Sequence, residues 1–488
     1  MSERVATAAQ SLPPIIGYLG LGLVISAAVV VSPILGLLVA ALAMGIILLT
    51  FDQHLPGLFL NILGALLLAY LFLGKGAAYL GMEPVYIGEL VLGLAALSLL
   101  TSFSFKKLLP IHWLLIAFMA LGAARTLPYV GRDGIDALRD AVLWGYGVFA
   151  LAVSFALTPA AVRRIVRWYS AILPFFLIWV PIAGIGVALF PEAVPNSPSG
   201  QPLIWFKGGD SAAHLAGVAA FLILALPAWP RLRSGLSDAF LWTLWFAGIV
   251  VAGTLNRGGL LAASVSTLTA LSFRPSRNLI PLAFIATVLI SIAAVTNLSV
   301  DTGGHRDVSV DQLRRNALSI FGDDDPSLRG TEEFRLRWWD KIIGYTWEGQ
   351  HFWTGKGFGV NLATDDGFGN LLEDDSLRSP HNSHLTVLAR MGVPGLALWI
   401  VLQAAFGYSM LAAYFRAKKN GFPLWAAINV WILVYWLAFL INTAFDVFLE
   451  GPQGGIWFWS VFGLGLGSLS LQRRLNQPLE APEVTRSS

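Results

Sequence analysis

The chain of 488 residues is 56% hydrophobic and only 12% charged. Soluble globular domains carry about a quarter charged residues, so a water-soluble enzyme is excluded. A formal net charge of +3 gives no nucleic-acid footprint, and the absence of cysteine excludes disulfides, thiolate nucleophiles and cysteine-ligated metals.

In chain order, the polar start MSERVATAAQSLPP is too long for the charged tip of a cleaved signal, so the first apolar segment is read as a retained helix. Apolar stretches of about 17–22 residues then recur, each long enough to span a bilayer. Hydropathy predicts an all-α, polytopic membrane bundle of about fourteen transmembrane helices (12–14). They fall near 15–31, 33–51, 57–73, 84–101, 110–125, 139–157, 168–190, 209–229, 237–254, 258–273, 279–297, 384–413, 423–442 and 455–471. With the N-terminus inside, FKK at 105–107, RRIVR at 163–167, RLR at 231–233, RPSR at 274–277, RAKK at 416–419 and QRR at 472–474 all lie on the inner side. That is the positive-inside pattern, and it makes both termini cytoplasmic. One segment breaks the rhythm: about eighty residues, Leu298 to Pro380, form a large external loop, and loops of that length usually have a purpose. Within it Phe334, Trp338, Ile342 and Tyr345 recur at helical spacing and predict a helix lying over the membrane face. The expected organisation is N-terminal helices (1–109), central helices with external cationic turns (110–297), the loop (298–380), C-terminal helices (381–471) and a tail (472–488).

Cations on the outer side run against the orientation rule. Arg132 and Arg139 stand beside Asp133, Asp136 and Asp140 and read as salt-bridge partners. Arg125, Lys207, Arg335 and Arg337 are further outer cations. Arg257 differs, because it occupies a very short outer turn with almost no room for a solvated side chain; such groups usually mark a substrate path. Several outer cations near one leaflet, without matching acids in the tight turns, point to an anionic ligand such as a phosphate, which arginine holds bidentately.

The stretch LRSPHNSHLTVLARMGVPG (377–395) leads into an apolar run. Pro380 disfavours helix at Ser379, and Asn382 or Ser383 is expected to cap the next helix. Leu385 and Leu388 share a face, while Gly392 and Gly395 are expected to permit close helix contact. His381 then sits at a helix N-terminus, where the macrodipole favours a neutral ring able to accept a proton.

These residues resemble the O-antigen ligase/polymerase superfamily. HNSHLTVLARMGVPG is similar to its His-Asn-x-x-Leu signature with two trailing glycines; NRGGLLA (256–262) resembles its Ser-Arg-Gly turn with Asn in place of Ser; RLRWWDKII and GKGFG resemble its Arg-x-x-x-Trp helix and triple-glycine turn. The matches run from about Leu255 to Leu402, within a similar region of about 240–402. The resemblance implies a bacterial inner-membrane glycosyltransferase of cell-surface polysaccharide biosynthesis. Its donor would be an undecaprenyl-diphosphate-linked glycan, its acceptor a lipid or saccharide hydroxyl, and its mechanism inverting, without metal or other cofactor. By this resemblance His381 would be general base and Arg257 would bind the leaving diphosphate. Lys207, Arg125, Arg335, Asn382 and His384 would contribute to substrate binding. The chemistry agrees, since diphosphate leaves already anionic and cations stabilise it without a proton donor.

Other signals are weaker. GKGFG fails the Gly-Lys-Ser/Thr requirement of a phosphate loop and reads as a structural turn. The acidic triplets at 323–325 and 373–375 read as solvated loop. Trp338, Trp339 and Trp353 are expected either to stack on sugars or to anchor the loop at the headgroups. A polymerase joining lipid-linked repeat units is the alternative to a ligase. A transporter or flippase is disfavoured, because no inverted repeat appears and Glu89 is the clearest charge within an apolar segment. A metal-dependent oligosaccharyltransferase-type enzyme would carry acids in the first outer loop, here VSP at 31–33.

Overall fold

The computed structural model describes residues 54–83, 85–226, 235–274, 299–300, 308–320, 326–369 and 377–474. The expected spans at 15–31, 33–51 and 279–297, RLR at 231–233 and both acidic triplets lie outside them. The other eleven expected segments all fold as helices: α1 Leu55–Leu73, α2 Ile87–Ser102, α3 Pro110–Asp133, α4 Ile135–Asp140 continued by α5 Val142–Gly145 and α6 Gly147–Ala156, α7 Pro159–Leu189, α8 Gly208–Ile223, α9 Gly235–Leu255, α10 Arg257–Phe273, and, after the loop, three more. The loop contributes α11 Val310–Ile320, α12 Pro326–Ile343 and α13 Leu362–Asp365; the last three helices are α14 Ser383–Lys419, α15 Pro423–Asn442 and α16 Pro452–Arg474. Strand is confined to two antiparallel pairs of two residues, Gly81–Met82 with Val85–Tyr86 and Ser299–Val300 with Val308–Ser309.

Among the described residues, seven helices are long and apolar enough to cross a membrane, or eight if the segment bent by 43° between α5 and α6 is one crossing. The shorter α2 and α8 are also apolar, and α10 is 17 residues long and interrupted by Ser264, Ser266, Thr267 and Thr269. Helix is the form such segments must take, because hydrocarbon satisfies no backbone polar group. Pro110, Pro159, Pro423 and Pro452 open α3, α7, α15 and α16, where a missing N–H costs nothing and φ is already helical.

At the centre lies α8, buried at every position except Ser211 and Leu222 and packed against α9, α10 and α15. Its sequence GGDSAAHLAGVAA supplies small residues that let neighbouring backbones approach. Trp245 and Trp431 donate their indole N–H to the Leu215 and Gly217 carbonyls at 2.8 and 3.1 Å. The helices' two ends differ. At one, Lys107 of FKK donates to the Phe155 carbonyl at 2.8 Å, and Asn429 pairs with Gln472 of QRR at 3.0 and 2.9 Å. At the other stand the start of α8, the α9–α10 turn, the α15–α16 connection and the start of α14.

The predicted loop helix forms as α12. Trp338 and Ile342 are fully buried, with Leu362, Ala363, Leu388 and Ala389, and Phe334 and Tyr345 pack at the edge of this satellite core. Trp338 donates to Asp366 Oδ2 at 2.7 Å and stacks on Phe368, so it builds the loop's interior and offers no sugar platform. Trp353 is 70% exposed.

Three expectations need correction. Gly392 and Gly395 make no helix–helix contact: Gly392 has φ +69° and ψ −171° and breaks α14 into two helices. A Cβ at Gly392 would collide with the Phe352 carbonyl, whose oxygen accepts from Val393 N–H at 2.8 Å, so the glycine lets the loop dock on the kink. Glu89 is no mid-span charge. It occupies the first turn of α2, where it accepts from Tyr86 N–H at 3.1 Å and from the Tyr146 hydroxyl at 3.2 Å. The outer cations do have acids, but from far along the chain, as described next.

Candidate functional site

Four chain segments meet at one end of the bundle. The first is Lys207–Asp210, opening α8; the second is Asn256–Gly259, the turn between α9 and α10. The side chain of Asn256 caps α10 by accepting from Gly259 N–H at 2.7 Å, the same work a serine would do there. Close approach explains the glycines. A Cβ on Gly259 would lie 2.7 Å from the Gly209 Cα, and one on Gly258 would lie 2.5 Å from the Phe445 Cβ. Arg257, half-buried, is thereby fixed beside the third segment, the α15–α16 connection from Thr443 to Gly451. The fourth is the mouth of α14, tied to that connection by Ser383 N–H donating to the Thr443 carbonyl at 2.9 Å.

Asp446 lies at the focus. Its carboxylate pairs with Lys207 at 3.0 Å and accepts from Val447 N–H at 2.8 Å. Burial alone would raise its pKa, but Lys207, with a smaller contribution from His381, holds it below the ordinary carboxylate value. Burial alone would likewise lower Lys207, and the carboxylates of Asp210 and Asp446 hold it above the usual ammonium value. His381 sits in the left-handed region at φ +54°, a conformation that costs a non-glycine residue about 1–3 kcal/mol unless its surroundings impose it. Arg335 reaches across from α12, donating to the Phe445 carbonyl at 3.3 Å. The structure thus brings Lys207, Arg257, Arg335 and His381 around one short connection.

The remaining predicted residues have other neighbours. Asn382 is the cap of α14, its Oδ1 accepting from His384 and Leu385 N–H at 3.0 and 3.2 Å. Both ring nitrogens of His384 are engaged: Nδ1 accepts from the Trp399 indole at 2.9 Å, which leaves Nε2 to donate to the Leu440 carbonyl at 3.2 Å. Arg125 donates to the Trp353 carbonyl at 2.8 Å and holds the 351–359 turn from α3. That turn is structural. Gly355, Gly357 and Gly359 have φ of +62°, +77° and +105°, and its N–H groups are spent on Ala389, Arg390 and Asp140.

Sequence reasoning missed the acids. Asp446 lies 239 residues from Lys207, and the available signal was an acidic pair, Asp446 and Glu450, between two apolar spans on the outer side. Burial pushes Glu450 above the usual carboxylate value. It also missed that Asp210, Asn442 and Gln453 cluster here with buried side-chain oxygens lacking hydrogen-bond geometry. Such groups are ready to accept from a polar guest. Among the described residues, no group of three or more histidine or carboxylate side chains converges closely enough to hold a metal ion.

Residues 242–400 match the family model described as O-antigen ligase. The matched region holds Arg257, Arg335 and His381, while Lys207 and Asp446 lie outside it. No curated protein matches the chain.

Proposed function

We propose that this chain, whose residues 242–400 match the O-antigen ligase family model, acts in cell-surface polysaccharide biosynthesis and transfers a glycan from an undecaprenyl-diphosphate donor to an acceptor hydroxyl at the outer face of the bacterial inner membrane. The observation that carries this reading is the convergence of Lys207, Arg257, Arg335 and His381 on the connection that holds Asp446.

In this reading the acceptor oxygen attacks the anomeric carbon, the bond from that carbon to the diphosphate oxygen breaks, and diphosphate departs with the electron pair. Arg257 and Lys207 stabilise the charge that gathers on the leaving group. Lys207 keeps Asp446 on one side and has further N–H donors to offer a phosphate on the other. His381 accepts the hydroxyl proton. The Asp446 carboxylate facing it stabilises the imidazolium that forms, offsetting the helix dipole. Arg335 orders α12 over the mouth, Arg125 holds the adjoining turn, and Asn382 and His384 set the position of His381 from the α14 side.

The experiment is the glycan profile of a deletion strain complemented with wild type, His381→Ala or Arg257→Ala. Full-length lipid-linked polymer left unattached to its acceptor is the expected result and defines a ligase. Single repeat units in place of long chains define a polymerase instead. Unchanged glycans, with both substituted proteins fully active, would overturn the enzyme reading.

A further inference from the structure

The glycine turn at 351–359 lies along the last turns of α3, and its contacts follow that helix in order. The Trp353 carbonyl accepts from Arg125; a Cβ on Gly357 would strike the Tyr129 ring, and one on Gly359 would strike the Asp133 side chain. Arg125 precedes Asp133 by two helical turns, so the Trp353 end of the turn sits on the order of 10 Å further back along α3 than the Gly359 end. The helix is long and apolar enough to cross a membrane. Its exposed positions Trp113, Ala117, Ala120, Ala124 and Leu127 recur at steps of four, three, four and three, the apolar stripe that a spanning helix turns to lipid. Leu127, 72% exposed, lies beyond Arg125 on that stripe, so hydrocarbon extends to the level of Trp353.

Trp353 ends an exposed aromatic row. Its ring packs on Phe352 at 5.0 Å between centres, and Phe352 packs on Trp347, also exposed, at 6.2 Å. The row continues along α12 and the single turn that extends it to Glu348: Leu336, Ile343 and Trp347 are exposed at i, i+7 and i+11 on one face, while the charged Glu333, Arg337 and Asp340 are exposed on the next. Glu348, Gln350 and Thr354 stand exposed among the rings, a mixture suited to the depth of lipid headgroups, where tryptophan is enriched. We propose that Trp347, Phe352 and Trp353 lie in the leaflet on the site's side, at the boundary between acyl chains and headgroups, and anchor there the loop that carries Arg335. The row is fixed to the rest of the fold at the α14 kink, where the Phe352 carbonyl accepts from Val393 N–H. A glycan also stacks on aromatic rings, but the position of Trp353 beside the lipid face of α3 favours the membrane. This inference stands apart from the transferase reading.

The test exploits a chain without cysteine. Trp353→Cys or Trp347→Cys gives the full-length protein one thiol for a polarity-sensitive fluorophore, at positions whose exposure leaves the packing intact. In phosphatidylcholine liposomes the emission is expected to shift to the blue and to be shielded from aqueous iodide. A spin label near the headgroup end of the acyl chain should quench it more than one near the methyl end. Arg337→Cys, on the charged face, is expected to give emission that iodide quenches and lipid spin labels do not. Trp347→Ser combined with Trp353→Ser should raise protease cleavage within the loop about tenfold in liposomes, the effect of losing about 1.4 kcal/mol. Emission from positions 347 and 353 that iodide quenches and lipid spin labels leave unchanged would overturn the proposal, and shielding of that emission by a soluble oligosaccharide would make the row a glycan platform instead. Unchanged cleavage of the double variant would overturn the anchoring role.

Discussion

Two charge clusters stand at the same end of the bundle, and they are built for different work. Under the loop, Arg390 is 1% exposed and donates to the Gly357 and Val360 carbonyls at 3.2 and 3.3 Å while pairing with Asp140 at 2.9 Å. Arg378 pairs with the same carboxylate at 3.1 Å and donates to the Gly359 carbonyl, and Lys356 is held between Asp365 and Asp366. Nearly every donor there is matched, Arg378 Nε being an exception. Around Lys207 the balance is different: an ion pair with Asp446, a second carboxylate at Asp210, and buried oxygens of Asp210, Asn442 and Gln453 that cluster without hydrogen-bond geometry. Saturated charge holds a fold in one shape, whereas charge with unmatched neighbours has capacity left for a ligand.

The largest effects should separate the clusters most clearly. His381→Ala and Arg257→Ala are expected to lower transfer by about 10²–10⁴-fold, the usual worth of a positioned acid–base group, with folded protein retained. His381→Gly sharpens this, because it relieves the positive φ while removing the imidazole; activity should fall as in the alanine variant. A His381→Gly protein as active as wild type would reduce the histidine to a backbone role.

Arg390→Ala should behave in the opposite way. It leaves the Asp140 carboxylate, 8% exposed, without its closest partner, and losing one side of a buried pair costs about 3–5 kcal/mol. Thermal unfolding in detergent is the measurement, and an unchanged melting temperature would break the division between holding and binding. Gly392→Ala tests the same cluster more gently. Its φ of +69°, together with the Phe352 carbonyl in the path of a Cβ, should cost an alanine at least about 1–3 kcal/mol, and the loop carrying Arg335 should become easier to cleave by protease.

The Lys207–Asp446 pair is expected to contribute less, and its pH dependence has a definite sign. Asp446 is held below its ordinary 3.8, so its contribution to stability is present above that value and lost as pH falls through the depressed pKa. Lys207 is held above its ordinary 10.5, so its contribution is present below that value and lost as pH rises through the elevated pKa. Melting temperature should therefore be flat between these limits for this pair, and Asp446→Asn should reduce its fall on the acid side. Smallest of all is Arg337→Ala. Its bond to Glu333 at 3.3 Å is exposed, and removing it should change stability by less than about 0.5 kcal/mol and leave transfer unaltered.

Much of this was legible in the sequence, and the reason is locality. The period of Phe334, Trp338 and Ile342 set the loop helix because those residues share one helix face whatever they touch. Asn256 and Asn382 were readable as turn and cap residues because a cap is closed within three residues. Arg257 stood out as a charge in a turn that leaves almost no room for solvent, and His381 as a histidine at the mouth of a helix. Gly392 was legible as a glycine but not as a break, because the atom that forbids a side chain there is the Phe352 carbonyl, forty residues earlier in the chain.

By itself, then, the sequence determined that the chain lives in a membrane as helices, since apolar runs of bilayer length must close their hydrogen bonds internally and a helix does so within four residues. Only the tertiary structure decided which charges are spent and which remain available. Lys207 meets Asp446 because the start of α8 lies beside the α15–α16 connection, and Arg390 meets Asp140 because α14 comes up against the end of α4. A side-chain charge finds its partner through space, and no spacing along the chain encodes a contact between residues hundreds of positions apart.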